Sequence, residues 1–307
     1  MLSNLGIIAR DHGDDTRASA LYQESLALMR ERGDAWHTAV VLNNLGLIAR
    51  DKGEYSQATA LFAEGLALFE RSEDRMNTAI VCANLGDVLR LRGDASGAQS
   101  IVERSLRQFT ELEHTWGIAL ALSYLGLILR DGGTYGRAAR LLEHSLSLRR
   151  EIGDTWGSAD ALISLAELAH LRSDWERAIT LAEQGRALFS DLPDRDGYAC
   201  ACLILALSLI RSGREPERAR ALYREGLRLY QALGDRSGVA RCLEGLALLA
   251  WSQQQPVRTA RLARQAAALQ GSENMPPSPR RAVHDGALAR YLGTSPRILI
   301  ARTRTSA

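Results

Sequence analysis

Apolar positions recur along this chain at helical spacing, and the helical stretches themselves recur. From Trp36 to Asp74 an apolar stretch around Leu42-Asn43-Asn44-Leu45-Gly46 is followed by a break at Gly53-Glu54 and a second stretch from Tyr55 to about Ser72. Apolar residues three and four apart over such lengths predict amphipathic helices, so the segment reads as helix, turn, helix. Forty residues on stands Ala83-Asn84-Leu85-Gly86, and forty further Ser123-Tyr124-Leu125-Gly126. Leu5, Leu45, Leu85, Leu125, Leu165 and Leu205 keep the same spacing, and one inserted residue near Arg214-Glu215-Pro216 moves the series to Leu246. A fixed period of this size predicts a stacked array in which each unit buries its apolar face only on its neighbours. The expected fold is therefore all-α, a right-handed α-solenoid of about seven helix-turn-helix repeats over residues 1–270.

Met1 aligns with Val41, so the first repeat is clipped and comprises residues 1–11 and 15–32. Full repeats follow at about 34–73, 74–113, 114–153, 154–193 and 194–234, with a weaker one at 235–270. A helix that starts without a cap or a covering unit is the expected mark of a longer parent protein, or of a surface awaiting a partner such as a second copy. Gly13, Gly53, Gly93, Gly133 and Gly213 stand just past the first helices, where a left-handed residue closes a helix. Asp14, Asp94, Thr134 and Asp174 follow as N-caps of the second helices, as Asp34, Asp74, Asp154, Asp194 and Asp235 do for the first helices. Pro216 fits a first helical turn. Ala18, Ala58, Ala98, Ala138, Ala178, Ala219 and Ala260 share one position, where a small residue lets paired helices approach. Trp36, Trp116 and Trp156 open their helices and are expected to pack on the preceding unit.

After Leu269 the pattern ends. Residues 271–279, with Pro276, Pro277 and Pro279, read as a linker. Residues 280–307 read as a basic tail with one short helix over Arg281–Leu292.

Composition changes this picture little. Hydrophobic residues make up 46% and charged residues 24%, as in soluble proteins. The longest apolar stretch, 199–210, falls well short of the roughly 20 residues a membrane span needs. No signal peptide is evident, so a cytoplasmic protein without membrane contact is expected. Cys82, Cys200, Cys202 and Cys242 share no metal spacing and read as core thiols. The formal charge of +2 conceals a net +7 from Pro256 onward. Tyr291 is its single aromatic, too little interleaving for a nucleic-acid surface, so direct nucleic-acid binding is not expected.

Leu45, Gly46, Ala58 and Phe62, like Leu5, Gly6, Ala18 and Tyr22, resemble the tetratricopeptide signature: Leu-Gly, an alanine twelve residues after the glycine, and an aromatic four later. With a 40-residue period and an Asn-Leu-Gly core, the units resemble those of kinesin light chains and spindle-orientation scaffolds. They also resemble the C-terminal sensor arrays of bacterial signal-transduction ATPases and LuxR-type transcription activators. This resemblance covers residues 1 to about 270 and implies a protein-binding array. It further implies an ATPase or DNA-binding domain linked upstream in a full-length regulator, since neither has a motif in this chain.

No catalytic constellation is legible: the six histidines are scattered without motif partners, and a non-enzyme without cofactor or metal is expected. In tetratricopeptide arrays the first helices line the concave surface. There Arg10, Arg50, Arg90 and Arg130 recur every 40 residues, a ladder suited to carboxylates on an acidic extended segment. The alternative is that each arginine favours its helix C-terminus and pairs with Asp11, Asp51 or Asp131 beside it. Asn4, Asn43, Asn44 and Asn84 offer amides that hold a peptide backbone or bond between neighbouring first helices. Past residue 160 the same face turns apolar or acidic through Asp160, Ile163, Glu167, Leu203 and Leu207. A partner with an acidic stretch followed by an apolar anchor is the expectation, its binding lost on replacing Arg50, Arg90 and Arg130 without unfolding. The expected function is a protein- or peptide-binding scaffold, the regulatory or sensor module of a bacterial signalling or transcription system. A small-ligand (inducer) sensor and a self-assembling adaptor that dimerises through its N-terminal end are the alternatives.

Overall fold

A computed structural model describes residues 2–11 and 14–270 of the chain. The expected linker 271–279 and basic tail 280–307 lie outside the described residues, as do His12 and Gly13. Among the described residues there are fourteen helices and no strand. They pair in sequence: α1 (Leu2–Asp11) with α2 (Asp15–Glu31), α3 (Ala35–Asp51) with α4 (Tyr55–Arg71), and α5 (Arg75–Leu91) with α6 (Ala95–Glu111). Next come α7 (Thr115–Asp131) and α8 (Tyr135–Glu151), α9 (Thr155–Leu171) and α10 (Trp175–Ser190), α11 (Arg195–Arg211) and α12 (Pro216–Ala232), and α13 (Arg236–Ser252) and α14 (Pro256–Gln270). This is the expected all-α solenoid class. Two compact units divide it, one up to Leu148 and one from Arg149.

Small residues set the helix crossings, as the sequence led one to expect. Ala18, Ala58, Ala98, Ala138, Ala178 and Ala219 are fully buried. A second small position holds Ser105 and Ser145, whose hydroxyls donate to the carbonyls of Ala79 and Ala119 at 2.7 Å. Phe62, wholly buried, lies over Gly46, where an added Cβ would stand 2.6 Å from the ring. Phe109 covers Gly117 in the same manner one helix later. Each such ring contributes roughly 2–3 kcal/mol of apolar burial.

Most turns follow one rule, with the α10–α11 turn at Asp191-Leu192-Pro193 the exception among the described residues: the residue after the last helical turn is left-handed. Gly53, Gly93, Gly133 and Gly213 fill that place after first helices, and Gly33, Gly153 and Gly234 after second helices. Glu73, at φ 55°, and Glu113, at φ 54°, occupy the latter position without being glycine. A side chain there costs about 1 kcal/mol. Glu73→Gly and Glu113→Gly are therefore expected to raise stability by up to about 1 kcal/mol each, read from the urea midpoint.

Aspartates cap the helices as expected. Asp34, Asp74, Asp154, Asp194 and Asp235 accept from the backbone N–H three residues on at 2.8–3.1 Å. His114 does the same work for α7, its Nδ1 accepting from the Gly117 N–H at 3.1 Å. Hydrogen bonds from His37 hold the Asp34 carboxyl below its ordinary 3.8. At Asp74 burial acts in the opposite sense, but bonds from Asn77 and Trp36 prevail and its pKa is also lowered. A depressed folded pKa means that these caps contribute fully above pH 3.8 and are lost as pH falls through the lower folded values.

Two expectations are corrected. Trp36 and Trp156 reach forward, not back: their indole N–H groups donate at 2.8 Å to Asp74 and Asp194, the caps of the next first helices. The apolar face after residue 160 is not open to a partner. Ile163, Leu203 and Leu207 are buried, and α11 is buried continuously from Ala199 to Leu209. Tight lateral packing of first helices consumes that face within residues 149–270. By contrast α1 leaves Leu5, Ile7 and Ile8 exposed at 41–53%.

All four cysteines are buried thiols outside any disulfide. Burial pushes the Cys82 thiol up to about 11 and those of Cys202 and Cys242 up to about 12. Since the thiolate is the reactive form, the folded chain is expected to resist an aromatic disulfide reagent at neutral pH and to release all four thiols in denaturant. Labelling without unfolding would contradict this burial.

Candidate functional site

The strongest concentration of polar chemistry within residues 1–148 lies on the C-terminal halves of α1, α3, α5 and α7. Arg10, Arg50, Arg90 and Arg130 come from equivalent turns of these helices, because the 40-residue period carries each arginine to the same place. Aspartates alternate with them. Arg10 reaches Asp51 at 3.3 Å, and Asp51 also takes Arg50 at 2.8 Å. Arg50 approaches Asp87 at 3.6 Å, and Asp87 takes Arg90 at 2.7 Å. Arg90 then reaches Asp131 at 2.7 Å, and Asp131 takes Arg130 at 2.9 Å. The Arg50 guanidinium also donates to the Tyr124 hydroxyl at 3.4 Å. Four arginines and three aspartates thus alternate in one column, with the Asp15 carboxylate close enough to Arg10 and Asp51 to feel their charges.

Burial is graded along the column. The side chain of Arg10 is 29% exposed and that of Arg50 15%, whereas Arg90 and Arg130 are exposed by only 4% and 3%. Burial opposes the charge on Arg50, but Asp51, Tyr124 and Asp87 outweigh it and raise its pKa. The same balance, with Asp87 and Asp131, raises that of Arg90. Pairing with a neighbouring aspartate, the alternative raised from the sequence, is therefore realised at Asp51 and Asp131. The Asp11 side chain lies outside what is described. Asp87 was missed because its equivalents are Leu47 and Leu127; its place three residues before Arg90, on the same helix face, was the available signal.

The asparagines divide in two. Asn84 donates to Asn43 across adjacent first helices at 2.9 Å, so these two amides serve each other. Asn4 is exposed and Asn44 half-buried, and neither makes a side-chain hydrogen bond among the described residues. Among the polar groups of these first helices within solvent reach are Asn4, Asn44, Arg10 and Arg50, together with Asp51 and Asp131 at 35% and 34% exposed. Arg90 and Arg130 lie beneath, committed to carboxylates, so their replacement is now expected to disturb the fold. Among the described residues no three metal-ligating side chains converge, and no helix is long and apolar enough to cross a membrane.

Helix pairs closed by left-handed turns, with small residues at their crossings and a polar first-helix face, define a repeat array of the kind used as a binding scaffold. The chain belongs to the tetratricopeptide repeat family: a family model so described matches residues 37–111 and 117–191, and a second matches residues 1–35. No curated protein matches the chain in sequence. Among solved structures, the apo form of the quorum sensor NprR from B. thuringiensis is similar at a TM-score of 0.67 and 18% identity, over 88% of this chain and 75% of that one. The apo form of RapI gives 0.65 and 12%, over 88% and 96%. A signal transduction ATPase with numerous domains, bearing a tetratricopeptide repeat sensor, from Pyrococcus horikoshii gives 0.61 and 14%, over 88% of this chain and 42% of that one. At such identities the likeness is one of fold.

Proposed function

We propose that this chain is a non-catalytic regulatory scaffold whose first-helix face in residues 1–148 receives an extended, acidic peptide segment of a partner protein. One observation carries the reading: Asn4 and Asn44 present amides without side-chain partners on the same helices as Arg10 and Arg50, the two arginines of the charge column that solvent reaches. An amide can hold a peptide backbone through both its donor and its acceptor. Arg10, hydrogen-bonded among the described residues to Asp51 alone, keeps donors for a second carboxylate. The apolar anchor expected from the sequence drops out, because its receiving face is packed. A sensor or regulatory role in a bacterial signalling system is supported by the likeness in fold to a quorum sensor and to the repeat sensor of a signal transduction ATPase.

Selection of a displayed library of short random peptides against the full chain tests this. Enriched peptides should be rich in Asp and Glu, and should lose about tenfold or more in affinity when Asn4, Asn44 and Arg10 are replaced by alanine. Those three side chains are exposed or half-buried, so the fold should persist. Enrichment of basic or purely apolar peptides, or binding untouched by the triple substitution, would refute the reading.

A further inference from the structure

Over the first two turns of α9 and of α11 lies a groove flanked by the C-terminal halves of the second helices on either side. Within residues 149–270 the chain shows this groove in two states. Between α10 and α12 it is filled by the protein itself. Tyr198 of α11 lies in it, its hydroxyl accepting from Arg186 Nη1 at 2.7 Å and donating to Glu225 Oε1 at 3.1 Å. One repeat earlier, Ser158 stands in place of Tyr198 and Gln184 in place of Glu225. There a groove of about 540 Å³ remains open over α9, lined by Arg150, Thr155, Ser158, Leu162, Gln184 and Leu188 among others. That volume is in the range of small-molecule sites, roughly 300–1,000 Å³.

Two groups in this groove have nothing to do within the chain. Ser158 is 4% exposed, yet its hydroxyl makes no hydrogen bond among the described residues. The Arg150 guanidinium, exposed at the rim, has no carboxylate or other partner among the described residues. Asp154, also at the edge, is engaged by Arg149 at 2.9 Å and by the Gly157 N–H at 2.8 Å, so it does not neutralise Arg150. The floor is apolar, from Leu162 and Leu188. The missing occupant has the shape that Tyr198 supplies next door, with a negative charge for Arg150.

We infer that the groove over α9 binds a small aromatic carboxylate, its ring on Leu162 and Leu188 and its carboxylate shared between Arg150 and the Ser158 hydroxyl. Arginine suits this role because its fork matches a carboxylate. The site does not depend on the peptide face of residues 1–148, and either can fail without the other.

Saturation-transfer NMR on the full chain, with phenylacetate, 2-phenylethanol and 2-phenylethylamine as probes, decides the matter. Phenylacetate should bind in the millimolar range or tighter, the alcohol more weakly and the amine not at all. Arg150→Ala should weaken phenylacetate about tenfold and leave the alcohol unchanged. Ser158→Tyr, which copies the filled groove, should abolish binding of both at an unchanged melting temperature. If Ser158→Tyr does not fold, the Arg150→Ala comparison stands on its own, since an exposed rim residue is not needed for folding. No transfer from phenylacetate, equal binding of the amine, or phenylacetate binding indifferent to Arg150→Ala would overturn the assignment.

Discussion

Replacing Asp87 by alanine should destabilise the chain by about 3–5 kcal/mol, the range for removing one partner of a buried ion pair. Asp87 is 3% exposed and takes two hydrogen bonds from Arg90, whose side chain is 4% exposed, at 2.7 and 3.0 Å. It also faces Arg50 at 3.6 Å. Without it two guanidinium groups stay in a desolvated place with a carboxylate removed from between them. Asp131, at 34% exposed, is too far into solvent to take over both. The pair itself, in contrast, is not what makes the fold stable. Charges taken out of water recover little more than their desolvation, and the equivalent positions before and after Asp87 are leucines. The double substitution Asp87→Leu with Arg90→Leu is therefore expected to lie near the parent chain. Urea denaturation of the two single variants and the double would show strong coupling between the sites. A single Asp87→Ala variant with an unchanged midpoint would mean that the column is solvated.

Arg241→Met should act in the opposite direction, raising stability by about 1–4 kcal/mol. Arg241 is 1% exposed, and its Nε, Nη1 and Nη2 make no hydrogen bond among the described residues. Its compensation is the ring of Tyr230, whose centroid lies 5.2 Å away, and the field of more distant acids. Burial opposes the charge, yet Tyr230, Cys200, Asp235 and Asp196 together raise its pKa, so the group stays charged. A face-on aromatic contributes about 2 kcal/mol when desolvated, less than several missing hydrogen bonds to a charged group. Methionine fills comparable length, keeps a favourable contact with the Tyr230 ring and has no donors to satisfy. A higher urea midpoint is the expected reading. A marked loss would show that Arg241 is held by a polar group the geometry does not reveal.

The fold was legible because it repeats. A single Leu-Gly pair says little, but Gly46, Gly86 and Gly126 at one spacing, each followed twelve residues later by Ala58, Ala98 or Ala138, leave few alternatives to stacked helix pairs. The turns were legible for the same reason, down to Pro216 in the first turn of α12. The candidate site was half legible. The periodic arginines are there, and so are Asp51 and Asp131 beside them, but periodicity places a residue without saying how deep it lies. Arg10 and Arg90 share one repeat position, yet Arg90 lies deeper and is paired with both Asp87 and Asp131. Asp87 was hidden in a leucine column, and Leu203 and Leu207 read as a binding surface because a packed face and an open one share the same pattern. The indole of Trp36 was assigned to the wrong neighbour, since nothing in a repeat tells whether a side chain leans forward or back.

Hydrogen exchange of the full chain, with and without an acidic peptide taken from the displayed library, tests the central claim most directly. Protection should appear in α1 and α3, where Asn4, Arg10, Asn44 and Arg50 stand, and should be absent from α2, α4 and α6. Protection of the second helices instead, or none anywhere in residues 1–148, would contradict a first-helix face built to receive a peptide.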